Sequence, residues 1–203
     1  TVQASQRLGR IYGLGDRSSP VALTPCLLVE ESDADSTPTT LAPFTYQQDN
    51  SKIPGTLSIM GRLPMSIPFD ANGPDWQVSV GHVLPPSMVA ADTGDRGGSG
   101  TVLPISWQRM NHDEELLNLE KEPQVVVLLD ALQLANQRGA LAKALFTIRQ
   151  QFSSALIWCP GISGPDNLAL LTWMGVDLHD LVRTSQCEAH HALLTNSGPR
   201  RPE

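Results

Sequence analysis

The stretch from residue 124 to residue 180 constrains the fold more than any other part of the chain. Residues 124–129 (QVVVLL) form an almost unbroken apolar run that stops at Asp130. A short run without polar alternation reads as a strand buried on both faces, as in a parallel sheet covered by helices. Residues 131–151 follow, with Leu132, Ala135, Leu141, Leu145 and Ile148 spaced along one face of a helix that restarts near Gly139. Residues 155–158 (ALIW) read as the next strand and residues 160–165 (PGISGP) as a tight turn. Asp166 is then placed to cap a helix over 167–173, and Gly175 to end it in a left-handed conformation. Residues 176–178 give a third short strand, with Asp180 just beyond it. The order β-α-β-α-β, with polar residues after the strands, predicts parallel α/β construction.

The preceding part is unlike this. Pro and Gly recur every few positions up to about residue 115, and between them lie short apolar runs at 21–29, 56–60 and 76–83 that read as strands. Residues 30–40 (EESDADSTPTT) have a local acidic excess and no periodicity, so a solvated loop is expected. Residues 92–100 (DTGDRGGSG) lack either phosphate-cradling glycine spacing and read as a flexible loop. The chain therefore divides into residues 1–122, a Pro/Gly-rich part of strands and loops, and residues 123–203, a set of β/α repeats. At 203 residues it has material for one ordinary core and not for two full-sized domains.

Charge limits the partners. Fourteen basic residues stand against 21 acidic ones, a net −7, and only Lys52, Lys121 and Lys143 are lysines. Without a basic stripe, general polyanion binding and DNA binding are excluded as expectations, leaving recognition of one nucleic acid by a local site or a partner protein chain, possible oligomers included. Cys26, Cys159 and Cys187 are odd in number and far apart, so free thiols are expected, with no disulfide scaffold, no zinc and no cofactor. Cys187 and His191 are spaced i, i+4 on a helix, but no fourth ligand is evident. No apolar run approaches 18 residues, so no membrane span is expected. A start at Thr1 without a basic, apolar leader argues against an intact secretory signal and suggests a fragment or processed chain in the cytoplasm. His112, with Asp113 and Glu114, reads as a helix N-terminus, and Trp158 and Trp173 read as core. No hydrolase signature such as G-x-S-x-G or H-E-x-x-H occurs.

Residues 124–180 carry a resemblance. The segment WCPGISGPDNLALLTWMGVDLHD (158–180), with VVVLLDALQLANQRGALAKALFTIRQ before it, resembles the tRNA-guanine transglycosylase superfamily, above all the transglycosylase-like domain of archaeosine synthases. A weaker similarity lies at RLGR (7–10) and TPCLLV (24–29). The resemblance implies an α/β fold of TIM-barrel-like (β/α) type, truncated or incomplete, and a role in 7-deazaguanine modification of tRNA. If active, the domain would be a tRNA-ribosyltransferase, a pentosyltransferase. Gly175-Val176-Asp177-Leu178-His179-Asp180 matches the family motif whose last aspartate attacks the ribose C1′, which implies Asp180 as nucleophile and Asp177 as its support. A carboxylate suits the task because the transition state at C1′ is cationic. Asp130, Gly161, Asn167 and Arg183 fall where the substrate would bind. The chain also departs from the family: it lacks the D-S-G-G-F/Y-Q base clamp and the cysteine-rich zinc motif, and LVRTSQCEAHH replaces the arginine-rich stretch after the nucleophile. A non-catalytic binding or structural subunit derived from the same fold is therefore the alternative, and this chain alone is expected not to exchange bases.

Overall fold

The structure, a computed structural model, describes residues 2–6, 8–15, 18–49, 56–61, 76–79, 102–107, 110 and 122–201. The chain opens with an antiparallel meander of β1 (Val2–Gln6), β2 (Gly9–Gly15) and β3 (Pro20–Leu23). It then enters a larger sheet with β4 (Cys26–Glu30), β5 (Phe44–Asp49), β6 (Thr56–Gly61), β7 (Trp76–Ser79), β8 (Val102–Ile105) and β9 (Val125–Leu128). Two helices follow, α1 (Ala131–Ala135) and α2 (Ala140–Gln151), then β10 (Leu156–Trp158), α3 (Leu168–Trp173) and β11 (Leu178–Asp180). Helix α4 (Val182–Ala189) and a hairpin of β12 (Leu193–Thr195) and β13 (Gly198–Arg200) complete the described elements.

The large sheet has the order β7-β6-β5-β4-β11-β10-β9-β8. Its strands β5, β4, β11, β10, β9 and β8 run parallel, and β6 and β7 add antiparallel to one side. Neighbours are consecutive in the chain except where β11, the last, pairs with β4, the first. That cyclic order is consistent with a barrel-like topology and differs from the doubly wound order, which reverses at the middle. Strands from both sides of residue 122 share this one sheet.

The continuity of the 124–129 run now has its reason. Val125, Val127 and Leu129 face one cluster with Leu28, Phe44, Leu156, Trp158 and Leu178, joined by Leu14 and Ala22 of the meander. Val126 and Leu128 face the other, against Ala131, Leu141, Ala144, Leu145 and Ile148 of the helices. Both faces of the strand are dry, so no position alternates to polar.

The structure corrects several expectations. Residues 21–29 are two strands in two sheets, divided at the cis Thr24-Pro25 bond, where proline has no N–H to continue a ladder. Part of the supposed 30–40 loop is ordered: β4 runs through Glu30, and Glu31–Ser36 is a 3-10 turn whose end is tied by Ser36 and Thr37 hydroxyls to the Asp33 carbonyl. The third strand is displaced to Leu178–Asp180, so Asp180 belongs to it. Asp166 does not cap α3; its carboxylate is taken by Arg183, and Asn167 occupies the cap position. Trp173 is 44% exposed, not core. Gly139 and Gly175 perform as read, with φ of 74° and 101° at the breaks before α2 and after α3. The readings at residues 92–100 and at His112 lie outside the described residues.

Candidate functional site at the C-terminal edge of the sheet

Parallel strands bring their C-terminal ends to one edge, and the register shows which residues meet there. Val127 pairs with Trp158, and Trp158 with Leu178. Counting two residues onward, Leu129, Pro160 and Asp180 fall in one layer at the ends of three adjacent strands, and Asp130 and Gly161 come one residue further on. Glu30 stands at the end of the next strand, two residues beyond Leu28, which pairs with Asp180. Nothing in the sequence pattern marked Glu30, because the pairing of β4 with β11 joins positions some 150 residues apart.

Asp180 is 2% exposed and fully engaged. Its Oδ2 accepts the Trp158 indole N–H at 2.8 Å and the Gly161 N–H at 3.0 Å. Its Oδ1 accepts the Val182 N–H at 3.1 Å and shares that of Gly161 at 3.2 Å. Burial pushes its carboxyl up to about 6, against the pull of these three donors. The side chain thereby ties β11 to β10, to the 160–165 turn and to the start of α4. Trp158, expected as core, is fully buried and also supplies one of the ties.

Asp130 is half-buried, and both of its oxygens accept the Trp107 N–H, at 3.0 and 3.1 Å. Burial is the main cause of its raised pKa, opposed by that hydrogen bond. Between the two aspartates lies the buried Cys159, whose thiol is pushed up first by burial and then by Asp180 and Asp130. Asn167 acts within the turn: its Oδ1 accepts the Gly164 N–H at 2.9 Å and its Nδ2 donates to the Ile162 carbonyl at 2.8 Å. Gly161 itself has φ 72°. Arg183 makes a two-pronged pair with Asp166, at 2.6 and 2.9 Å, which draws the Asp166 carboxyl down. Arg183 thus sits at the surface, paired with Asp166 beside the turn.

Asp177 does not join Asp180. It lies at the opposite, N-terminal end of β11, 2% exposed. There Arg10 Nε approaches its Oδ1 at 3.3 Å and Arg149 donates to its Oδ2 at 2.8 Å. Arg10 also donates to the carbonyls of Ser153, Ser154 and Ala155, and Arg149 to those of Ala155 and Gly175. Conditions at this end of the sheet suit stability rather than substrate contact. His179, between the two aspartates in sequence, is buried and held by Ser163 Oγ at 2.8 Å and Thr172 Oγ1 at 3.0 Å. Burial lowers its imidazole to about 4, so it is neutral at physiological pH.

An open groove of about 520 Å³ lies apart from Asp180, in the helix layer between the α1–α2 junction and α3, with Asn167 and Arg183 on its rim. The three cysteines are free thiols, and among the described residues no three metal-ligating side chains converge. Among them, too, no helix is long and apolar enough to cross a membrane. No protein-family model, no curated protein and no solved structure matches the chain.

Proposed function

We propose that this chain is a tRNA-guanine transglycosylase-like domain that serves 7-deazaguanine modification of tRNA without exchanging bases itself. One observation carries the second half of that statement: the carboxylate at the nucleophile position is 2% exposed, with both oxygens already bonded to N–H groups of its own chain. A nucleophile must come within about 3–3.5 Å of C1′ with a free lone pair. Asp180 would have to leave Trp158, Gly161 and Val182 to do so, and the 160–165 turn would lose its anchor. In this reading Asp180 keeps the family position and serves to hold that turn. The role in tRNA modification rests on the motif resemblance over residues 124–180 and on the cyclic strand order, which suits a (β/α) barrel with elements missing. A reducing, cytoplasmic setting goes with three free thiols.

The test is incubation of the full chain with bulk tRNA and labelled guanine or a labelled 7-deazaguanine. No label should enter the tRNA. Incorporation by the wild type that is lost in Asp180→Asn would overturn the proposal in favour of an active tRNA-ribosyltransferase.

A further inference from the structure

The groove between the α1–α2 junction and α3 is apolar by construction. Along α3, Asn167, Leu170, Leu171 and Met174 follow the i, i+3, i+4, i+7 spacing that puts four side chains on one helical face. Leu171 is buried and forms the floor with Leu141 and Ile162, whereas Leu170, on the wall, stays 57% exposed. Leu132 and Ala142 line the opposite side, and the rim at Gly139 is open, since a Cβ there would meet nothing within 4 Å. Apolar surface continues outside the groove. Phe146 lies one turn beyond Ala142 on α2 and is 47% exposed, and Trp173 lies one turn beyond Leu170 and is 44% exposed.

The charge of this face is opposite to that of the chain. Between Asp130 and Asp177 the sequence holds Arg138, Lys143 and Arg149 but one acidic residue, Asp166, in a protein of net charge −7. Asp166 is held by Arg183 on the rim, a pair with no net charge, and Arg149 is held by Asp177 at the far end of α2. Arg138, also on the rim, is exposed, and among the described residues no carboxylate pairs with it. Lys143 is exposed on the flank of α2 toward Trp107, its Nζ 5.6 Å from the centre of that ring. Apolar surface and uncompensated positive charge therefore stand side by side.

Size and charge select the occupant. A small ligand seated in the groove would leave Phe146 and Trp173 in water, whereas a chain segment laid along it covers them too. A second copy docking through the same face would bring its own Arg138 and Lys143 against these, with no free carboxylate to meet them. We infer that the groove docks an amphipathic helix of a partner protein, with apolar anchors on one face and carboxylates on the flanks. The anchors enter between Leu132 and Leu170 and rest on Leu141, Ile162 and Leu171, as helix-in-groove recognition requires. A flanking carboxylate meets the forked donors of Arg138, which fixes the direction in which the helix lies.

The experiment is fluorescence anisotropy of a labelled helical peptide, with leucines at i, i+3, i+4 and i+7 and glutamates on both flanks, titrated with the full chain. This peptide should bind, and a twin with lysine at each glutamate position should bind about tenfold more weakly or worse. Arg138→Glu should reverse that preference, and Leu170→Glu should weaken the acidic peptide by about tenfold or more. Both positions are exposed, and matched circular dichroism and Tm should show that the variants are folded. Equal binding of the two peptides, no binding of either, or wild-type affinity in both variants would overturn the inference. A wild-type dimer in light scattering that Leu170→Glu dissociates would overturn it in favour of a second copy. Calorimetric binding of laurate that Arg138→Glu abolishes, without peptide binding, would overturn it in favour of a small amphipathic anion.

Discussion

His179 and Asp180 are neighbours in one strand, both 2% exposed or less, and burial shifts them in opposite directions. Burial lowers His179 from 6.5 to about 4 and raises Asp180 from 3.8 to about 6. For His179 the unfolded chain takes the proton first as pH falls, so its contribution is fully present above 6.5 and is lost toward pH 4. For Asp180 the folded chain takes the proton first, so its contribution grows as pH falls from 6 toward 4. The two effects cover nearly the same window with opposite sign. Wild-type stability should therefore change little between pH 6.5 and 4.5 on account of this pair. His179→Gln should become more stable over that range and Asp180→Asn less stable, measured as Tm against pH relative to wild type. Parallel pH profiles for all three proteins would refute the assignment. Asp180→Asn should also lose about 1–3 kcal/mol at neutral pH, because an amide NH2 would face N–H donors.

At the level of elements, one carboxylate joins three parts of the chain. Asp177, whose side chain is 1% exposed, holds Arg10 of β2 and Arg149 of α2 at the N-terminal end of β11. Close backbone packing reinforces the junction: a Cβ on Gly9 would lie 2.9 Å from the Thr172 carbonyl oxygen, and one on Gly175 3.1 Å from that of Leu8. Removing the charge at its centre deprives two buried guanidiniums of their hydrogen-bonded carboxylate, with only the Glu122 charge left acting on Arg149. Asp177→Asn should then cost about 3–5 kcal/mol in urea unfolding. A loss under about 1 kcal/mol would mean that water, not Asp177, satisfies the arginines. The sequence placed Asp177 with Asp180 because they are three residues apart in a family motif. Three residues along an extended chain span roughly 10 Å, enough to separate the two ends of a short strand.

For the whole molecule, the meander and the large sheet share a core cluster through Leu14 and Ala22 as well as the Arg10 tie. They should open as one unit: amide exchange in β2 is expected to report the same opening free energy as in β10. In Arg10→Ala, β1–β3 should drop to a lower opening free energy while β9 and β10 keep theirs; equal loss in both would mean a single indivisible core. The alternation of strands and helices from residue 124 to 180 was legible in the sequence because burial on both strand faces and one helix face writes itself into local periodicity. Gly139 and Gly175 were legible for the same reason, since a left-handed residue at a helix end is a local demand. Local pattern cannot report which distant strand lies alongside. The pairing of β11 with β4, the division at Thr24-Pro25, the arrival of Glu30 at the edge beside Asp180 and the capture of Asp166 by Arg183 all depend on contacts between segments far apart in the chain. Residue type and spacing determined that a carboxylate stands at the end of this strand; tertiary packing decided that it is buried and bonded to its own chain, because only the neighbours supplied by other strands determine whether water reaches it.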